Sequence, residues 1–426
     1  MKLIRALDRP WHVRSPLPIW LFLVITVLAA KNVAFLIATP VNPDLPIDFR
    51  PLYMGQILLL AGENPYDDDL IKQEWKALAR REGFESGEPP GYPKTLLLYP
   101  PWALPLLTGF SVMSWMTARA VWWAAIPLFV VGIAWFVGRG SPPGQGIVPF
   151  VDVLLLALAF KATDWAYYVG QPMFLCLLFG FASLDLGRRN RWVAEGLTLG
   201  LACFKITLGI PFVLQTLYRR RWRALAVAVL VGAALSSVFL LLNPDPAAAA
   251  QSYRSNVERL RDLVFSSSNE GYPIAFKMVS RTELAVVAEL LVPGWGRFDR
   301  WVNLSPLLVL LPFWIGPLRS RRVSEVRAFC FFSAVSLLCT HHLHYDCLVL
   351  LPLYLLALEV DRVERLAILA AGAFFLVPIN GILSLVDLPP SLNILMYNVQ
   401  IGLVVLLIVL TWGLTRGSRS EPALVG

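Results

Sequence analysis

The stretch WVAEGLTLGLACFKITLGIPFVLQTL, residues 192–217, decides how this chain is laid out. It is apolar and long enough to be one transmembrane helix, which needs about 20 residues to cross a hydrocarbon core about 30 Å thick. Yet Arg188, Arg189 and Arg191 precede it, and Arg219, Arg220, Arg221 and Arg223 follow it. Such clusters gather on the cytoplasmic side of a polytopic protein. A straight span would put the two on opposite sides. A short helical hairpin broken near Thr207–Pro211 returns both to one side, and the positive-inside rule favours it.

Further apolar segments lie near residues 17–38, 96–115, 118–138, 147–163, 172–187, 224–242, 303–318, 326–339, 347–358, 366–386 and 393–415. If every segment crosses, there are twelve spans and Arg188–Arg191 falls outside. If 96–115 enters only part-way and 192–217 is a hairpin, ten spans remain. Re-entrant backbone is tolerated where protein or water surrounds it. The sequence thus predicts an all-α polytopic membrane protein, one domain over residues 1–426, with about ten to twelve transmembrane helices. Composition agrees: 57% of residues are hydrophobic and only 15% charged, against about a quarter charged in soluble domains. No stretch is long and polar enough to fold separately, which excludes a soluble enzyme on a single anchor. An outer-membrane barrel would alternate in polarity instead of showing long apolar runs.

The net charge of +8 reads as a topology label and not as nucleic-acid binding, because the arginines sit in short clusters between apolar runs. The five cysteines are an odd count, mostly inside those runs, and read as small buried hydrophobes. The basic N-terminal segment with Lys2, Arg5, Arg9 and Arg14, which also holds His12, places the N-terminus in the cytoplasm. The apolar run after it is too long for a signal-peptide core and should remain as the first span. The expected location is the plasma or inner membrane, with both termini cytoplasmic.

Two long polar stretches interrupt the spans, 39–95 and 243–302. The first has a net charge of −4 and the second is balanced, so both are expected on the extracytoplasmic face, together with Thr340–Asp346. Within the first, Asp48–Leu60 is apolar enough to lie along the membrane, and Asn64–Pro65–Tyr66 signals a turn. Leu70, Ile71, Trp75 and Leu78 then recur at helical spacing among charges, the pattern of an interfacial amphipathic helix. Tyr92–Pro93 and Tyr99–Pro100–Pro101–Trp102 bring the chain back with aromatic anchors.

A few polar residues stand out against this background. Asp48, just beyond the first span, is either a general base at the membrane surface or the N-cap of the following helix. His341, His342 and His344 lie in one short loop with Asp346. Three histidines and a carboxylate raise the question of a metal, but adjacent His341 and His342 diverge and the spacing matches no common zinc pattern. No metal is therefore assigned, and the imidazoles are read as phosphate-binding or proton-moving groups. Lys31, Lys161, Asp164, Glu195 and Lys205 sit inside apolar runs, where each charge costs roughly 2.5–3.5 kcal/mol unless paired or hydrated. Lys205 is too deep to snorkel from a straight span; at a hairpin tip it suits an anionic headgroup. Lys277 and Arg281, four apart, share a helical face and form either a second anion site or a solvated surface.

Together these pieces resemble glycosyltransferase family 87, multi-spanning enzymes of the GT-C superfamily. The resemblance is carried by Asp48–Phe49 with Tyr53, Ala61–Gly62–Glu63–Asn64–Pro65–Tyr66, Leu98–Tyr99–Pro100–Pro101 and Gly170–Gln171–Pro172. Glu195–Gly196–Leu197 to Gly200–Leu201–Ala202 with Lys205, then Tyr218 with its arginines, and finally His344–Tyr345–Asp346 complete it. It implies a GT-C-like bundle, a hexose (mannose) donor linked through phosphate to a polyprenol, and a lipid or glycan acceptor on the extracytoplasmic side. It also implies that Asp48 and His344 or a neighbour are catalytic, with Lys205, His341, His342, Lys277, Arg281, Gln171 and Tyr99 on the substrate or donor phosphate. No cofactor is implied beyond the lipid-linked donor, and the remaining partners are membrane lipids. Pro172 and Thr207 depart from the family pattern, which often has Asn and Pro there. A transporter or flippase for a lipid-linked saccharide would predict internal repeats, and none is visible. A glycan polymerase or ligase would predict a late, arginine-rich outer loop.

Overall fold

The computed structural model describes residues 17, 19–38, 48–83, 96–141, 147–265, 301–305, 308, 323–340, 344–359 and single positions up to 372. All regular structure among them is helical. In chain order the helices are α1 (Ile19–Ala38), α2 (Phe49–Leu60), α3 (Asp68–Glu82), α4 (Ala103–Leu107), α5 (Trp115–Gly138), α6 (Val148–Ala159) and α7 (Lys161–Tyr168). They continue as α8 (Met173–Arg188), α9 (Trp192–Ala202), α10 (Ile206–Tyr218), α11 (Trp222–Leu242), α12 (Pro246–Phe265), α13 (Glu325–Cys339) and α14 (Leu353–Glu359). A 3-10 segment, His344–Leu350, precedes α14. Nearly all of the apolar segments at 303–318 and 366–386, the whole of 393–415, and Lys277, Arg281, His341 and His342 lie outside the described residues.

Among the described residues, α5 and α11 are long and apolar enough to cross a membrane. The outer face of α11 is bare hydrocarbon, with Val229, Leu230 and Leu241 exposed. Segment 96–115 is no span: it contains only the single turn and a half of α4 and a 3-10 turn at Thr108–Phe110, as the ten-span layout requires.

Residues 192–217 are a hairpin. At 1.5 Å per residue, α9 is about 16 Å long and α10 about 20 Å, too short to cross. The break falls at Cys203–Lys205 and not at Thr207–Pro211. Pro211 sits inside α10, where it withholds the N–H that the Thr207 carbonyl would accept. The Ser336 hydroxyl on α13 donates to that carbonyl instead, at 3.2 Å, so the helix runs through.

The arms start and finish beside one another. Asn190 accepts from Arg221 at 3.5 Å, and buried Glu195, an acid inside an apolar run, pairs with Arg221 at 3.1 Å. Arg219 pairs with Glu325, while Arg139 and Arg189 flank Asp185. The two arginine clusters therefore occupy one end of the bundle. Lys31 meets Asp164 at 3.8 Å, so two more charges in apolar runs offset each other.

α9 packs between α8 and α11. Its Gly196 and Gly200, one turn apart, face the backbone of α11: a Cβ on Gly200 would stand 2.7 Å from Val231 Cβ and 2.9 Å from the Ala228 carbonyl. Small residues at this spacing let helix axes approach closely in membranes. Gly200→Leu should therefore lower thermal stability in detergent by about 1–3 kcal/mol or more, through overpacking. Gly232→Leu on α11, where a Cβ meets nothing within 4 Å, should leave stability unchanged.

The described part of the first polar loop packs against the rest of the protein. Ten of the twelve residues of α2 are buried, and the apolar stripe of α3 (Ile71, Trp75, Leu78, Ala79) is turned into the protein. Asp67 caps α3 by accepting from the Asp69 and Leu70 amides. Arg50 lies over Trp75 at 4.6 Å, and Trp75 meets Trp115 edge-on. Glu82 accepts from the Trp115 amide at 2.9 Å, placing a carboxylate on the N-terminus of α5. The second loop docks on the first: Asn64 donates to Ser252, Asn256 to the Tyr66 carbonyl, and Arg259 pairs with Asp68. The described parts of both loops thus share one side, the end opposite the arginines.

Candidate active site

Asp48 stands at the N-cap position of α2 but makes no side-chain capping bond, so the capping role fails. Its neighbour Phe49 lies flat on Trp122, ring centroids 4.7 Å apart and 6° from parallel. The Trp122 indole in turn donates to the Gly170 carbonyl at 2.9 Å. One tryptophan thereby registers α2 against the turn at residues 169–171. Trp122 lies seven residues into α5, so this level is roughly 10 Å along the helix from its start.

The turn itself follows from Gly170. The Gly170 amide donates to Tyr167 and the Gln171 amide to Ala166, the paired bonds of a Schellman cap on α7. That geometry needs a left-handed residue, and Gly170 has φ +66°. Pro172 then starts α8, where its missing N–H costs nothing. The Asp48 backbone amide donates to the Val169 carbonyl at 2.8 Å, and the Gln171 side-chain amide donates to Asp48 Oδ2.

Tyr99 completes the near side. Its hydroxyl donates to Gln171 Oε1 at 3.4 Å, its carbonyl accepts from the Tyr66 hydroxyl at 2.8 Å, and its ring stacks on Phe204. Burial, then the charges of Asp48 and Asp346, push the Tyr99 hydroxyl well above its ordinary value, so it stays protonated.

On the far side, the hairpin tip presents Lys205, 16% exposed, to Asp346, 1% exposed, at 2.6 Å. Trp102 fixes the tip by donating to the Cys203 carbonyl at 3.1 Å. The buried Cys176 thiol donates to the Ala202 carbonyl at 3.0 Å. The fold therefore gathers Asp48, Tyr99, Gln171 and Lys205 from four separate segments. His344 opens the 3-10 segment that carries Asp346.

A family model described as Glycosyltransferase family 87 matches residues 97–350, about three-fifths of the chain. The chain belongs to glycosyltransferase family 87. No curated protein and no solved structure matches it. The family match opens two residues before Tyr99 and closes at the end of the 3-10 segment, so it takes in Gln171, Lys205 and Asp346 and leaves Asp48 upstream. As a member of this family, the protein is a glycosyltransferase.

The sequence reading did not see Trp122 as a site residue, nor Asp346 as the counter-ion of Lys205. Trp115 and Trp122 stand seven apart, two turns on one face of α5, and that spacing was the available signal for the first. Nothing local announces the second, which joins residues 141 apart. Among the described residues, no group of three or more His, Cys, Asp or Glu is placed to hold a metal ion. All five cysteines are free.

Proposed function

We propose that this protein transfers a hexose, mannose, from a polyprenyl-phosphate donor to a lipid or glycan acceptor at the extracytoplasmic face of the plasma or inner membrane. The observation that carries the reading is an oriented carboxylate, Asp48, linked through Gln171 to Tyr99, whose ring stacks on Phe204 next to the lysine, Lys205. The arginine-rich end is cytoplasmic by the positive-inside rule, which puts both loops and the site outside. In this topology the chain crosses about ten times, with both termini cytoplasmic.

The reaction is a single displacement with inversion. The acceptor oxygen attacks C1 of the sugar opposite the phosphate, its proton passes to the Asp48 carboxylate, and the C1–O bond breaks with its electron pair leaving on polyprenyl phosphate. Little acid catalysis is needed, since the phosphate leaves readily. Its charge grows from about one to two as the bond breaks, and a cation held there acts chiefly on the transition state. Lys205 supplies that cation. Asp48, Asp346 and Lys205 together carry a net single negative charge, so a phosphate entering the site calls for further cations. His341, His342, His344, Lys277 and Arg281 are the candidates, with His344 two residues from Asp346 the first to test.

Purified protein in proteoliposomes, given undecaprenyl-phosphate mannose and a membrane lipid extract, should produce a mannosylated product and free undecaprenyl phosphate. Movement of the donor across the bilayer without product would favour a flippase instead.

A further inference from the structure

We propose that Gln171 is the positioning residue of the Asp48 carboxylate, with Tyr99 bracing the other edge of its amide. This rests on the reading of Asp48 as the base. Both the backbone amide and the side chain of Asp48 are tied to one turn, residues 169–171, that lies 123 residues away in sequence. The carboxylate is therefore aimed by that turn and not by the helix it precedes.

The carboxylate sets the direction of the amide. An ionised Asp48 only accepts, so it takes the Nε2 edge of Gln171, and Oε1 is left to accept from the Tyr99 hydroxyl at 3.4 Å. The flipped amide would set its oxygen against a carboxylate and lose that bond. Gln171 is itself buried, and its backbone is locked by the Schellman cap. A neutral donor favours the ionised carboxylate without adding a cation that would compete with Lys205 for phosphate. Titratable and charged groups on this side include Tyr99, Asp346, Lys205 and the Cys176 thiol. Arg50, two residues after Asp48, lies over Trp75.

Two measurements test this. With undecaprenyl-phosphate mannose and membrane lipid extract, Gln171→Leu should lower kcat by about 10²-fold with the donor KM unchanged, as expected for a misaimed base. Tyr99→Phe, which keeps the ring against Phe204, should shift kcat the same way by a smaller factor. Independently of transfer, dicyclohexylcarbodiimide couples to protonated carboxyl groups, and labelling of Asp48 is read by peptide mass spectrometry at one pH. Loss of a hydrogen bond to the charged form should speed that labelling about tenfold in Gln171→Leu. Unchanged labelling, or a donor KM that rises while kcat holds, overturns the proposal. A wild-type protein that transfers nothing from this donor refutes the proposed function instead, and the labelling still decides the role of Gln171.

Discussion

Asp48→Asn should reduce mannosyl transfer by about 10²–10⁴-fold, the range that general bases contribute, while expression, thermal stability and donor KM stay near wild type. Asparagine has the same shape, and its side-chain oxygen still accepts from Gln171. It also caps a helix as well as aspartate does, so any capping contribution survives the change. What disappears is the ability to take the acceptor proton. Steady-state kinetics alongside thermal unfolding in detergent measures this, and retained turnover would remove Asp48 from the mechanism.

A larger structural effect is expected at the hairpin tip. Lys205→Met leaves Asp346, 1% exposed, without the cation 2.6 Å away. Breaking one side of a buried pair costs about 3–5 kcal/mol. Stability should therefore fall together with transfer. The double variant Lys205→Met with Asp346→Leu removes both charges and should recover most of the stability, as apolar replacements of buried pairs often do. Transfer should stay lost in the double variant, because the cation for the departing phosphate is gone. Recovery of both properties would make the pair purely architectural.

The bundle was legible in the sequence wherever its signal was local. Long apolar runs gave α5 and α11, flanking arginines gave the hairpin at 192–217, and the stripe at Leu70, Ile71, Trp75 and Leu78 gave α3. The break point was misread because Pro211 looks like a helix stop, whereas Ser336, more than a hundred residues later, repairs the damage. The burial of α2 and α3 against protein was not legible for a related reason. An apolar stripe facing lipid and one facing protein have the same period, and only the partner, here Trp115 and the core around it, tells them apart. Asp48, Gln171, Tyr99 and Lys205 were each visible singly as polar residues in apolar company. That Gln171 holds Asp48, and that Asp346 offsets Lys205, depends on closures of 123 and 141 residues, which no window along the chain can contain.

Those same separations set an order of assembly. Asp48 and Gln171 are both made before the hairpin, so their half of the site closes early. Lys205 must then wait for Asp346. At about 5–20 residues per second, the intervening 141 residues take roughly 7–28 s to synthesise. Throughout that interval the nascent hairpin carries Lys205 without Asp346. The Lys205–Asp346 pair therefore closes well after the contact between Asp48 and Gln171 can form.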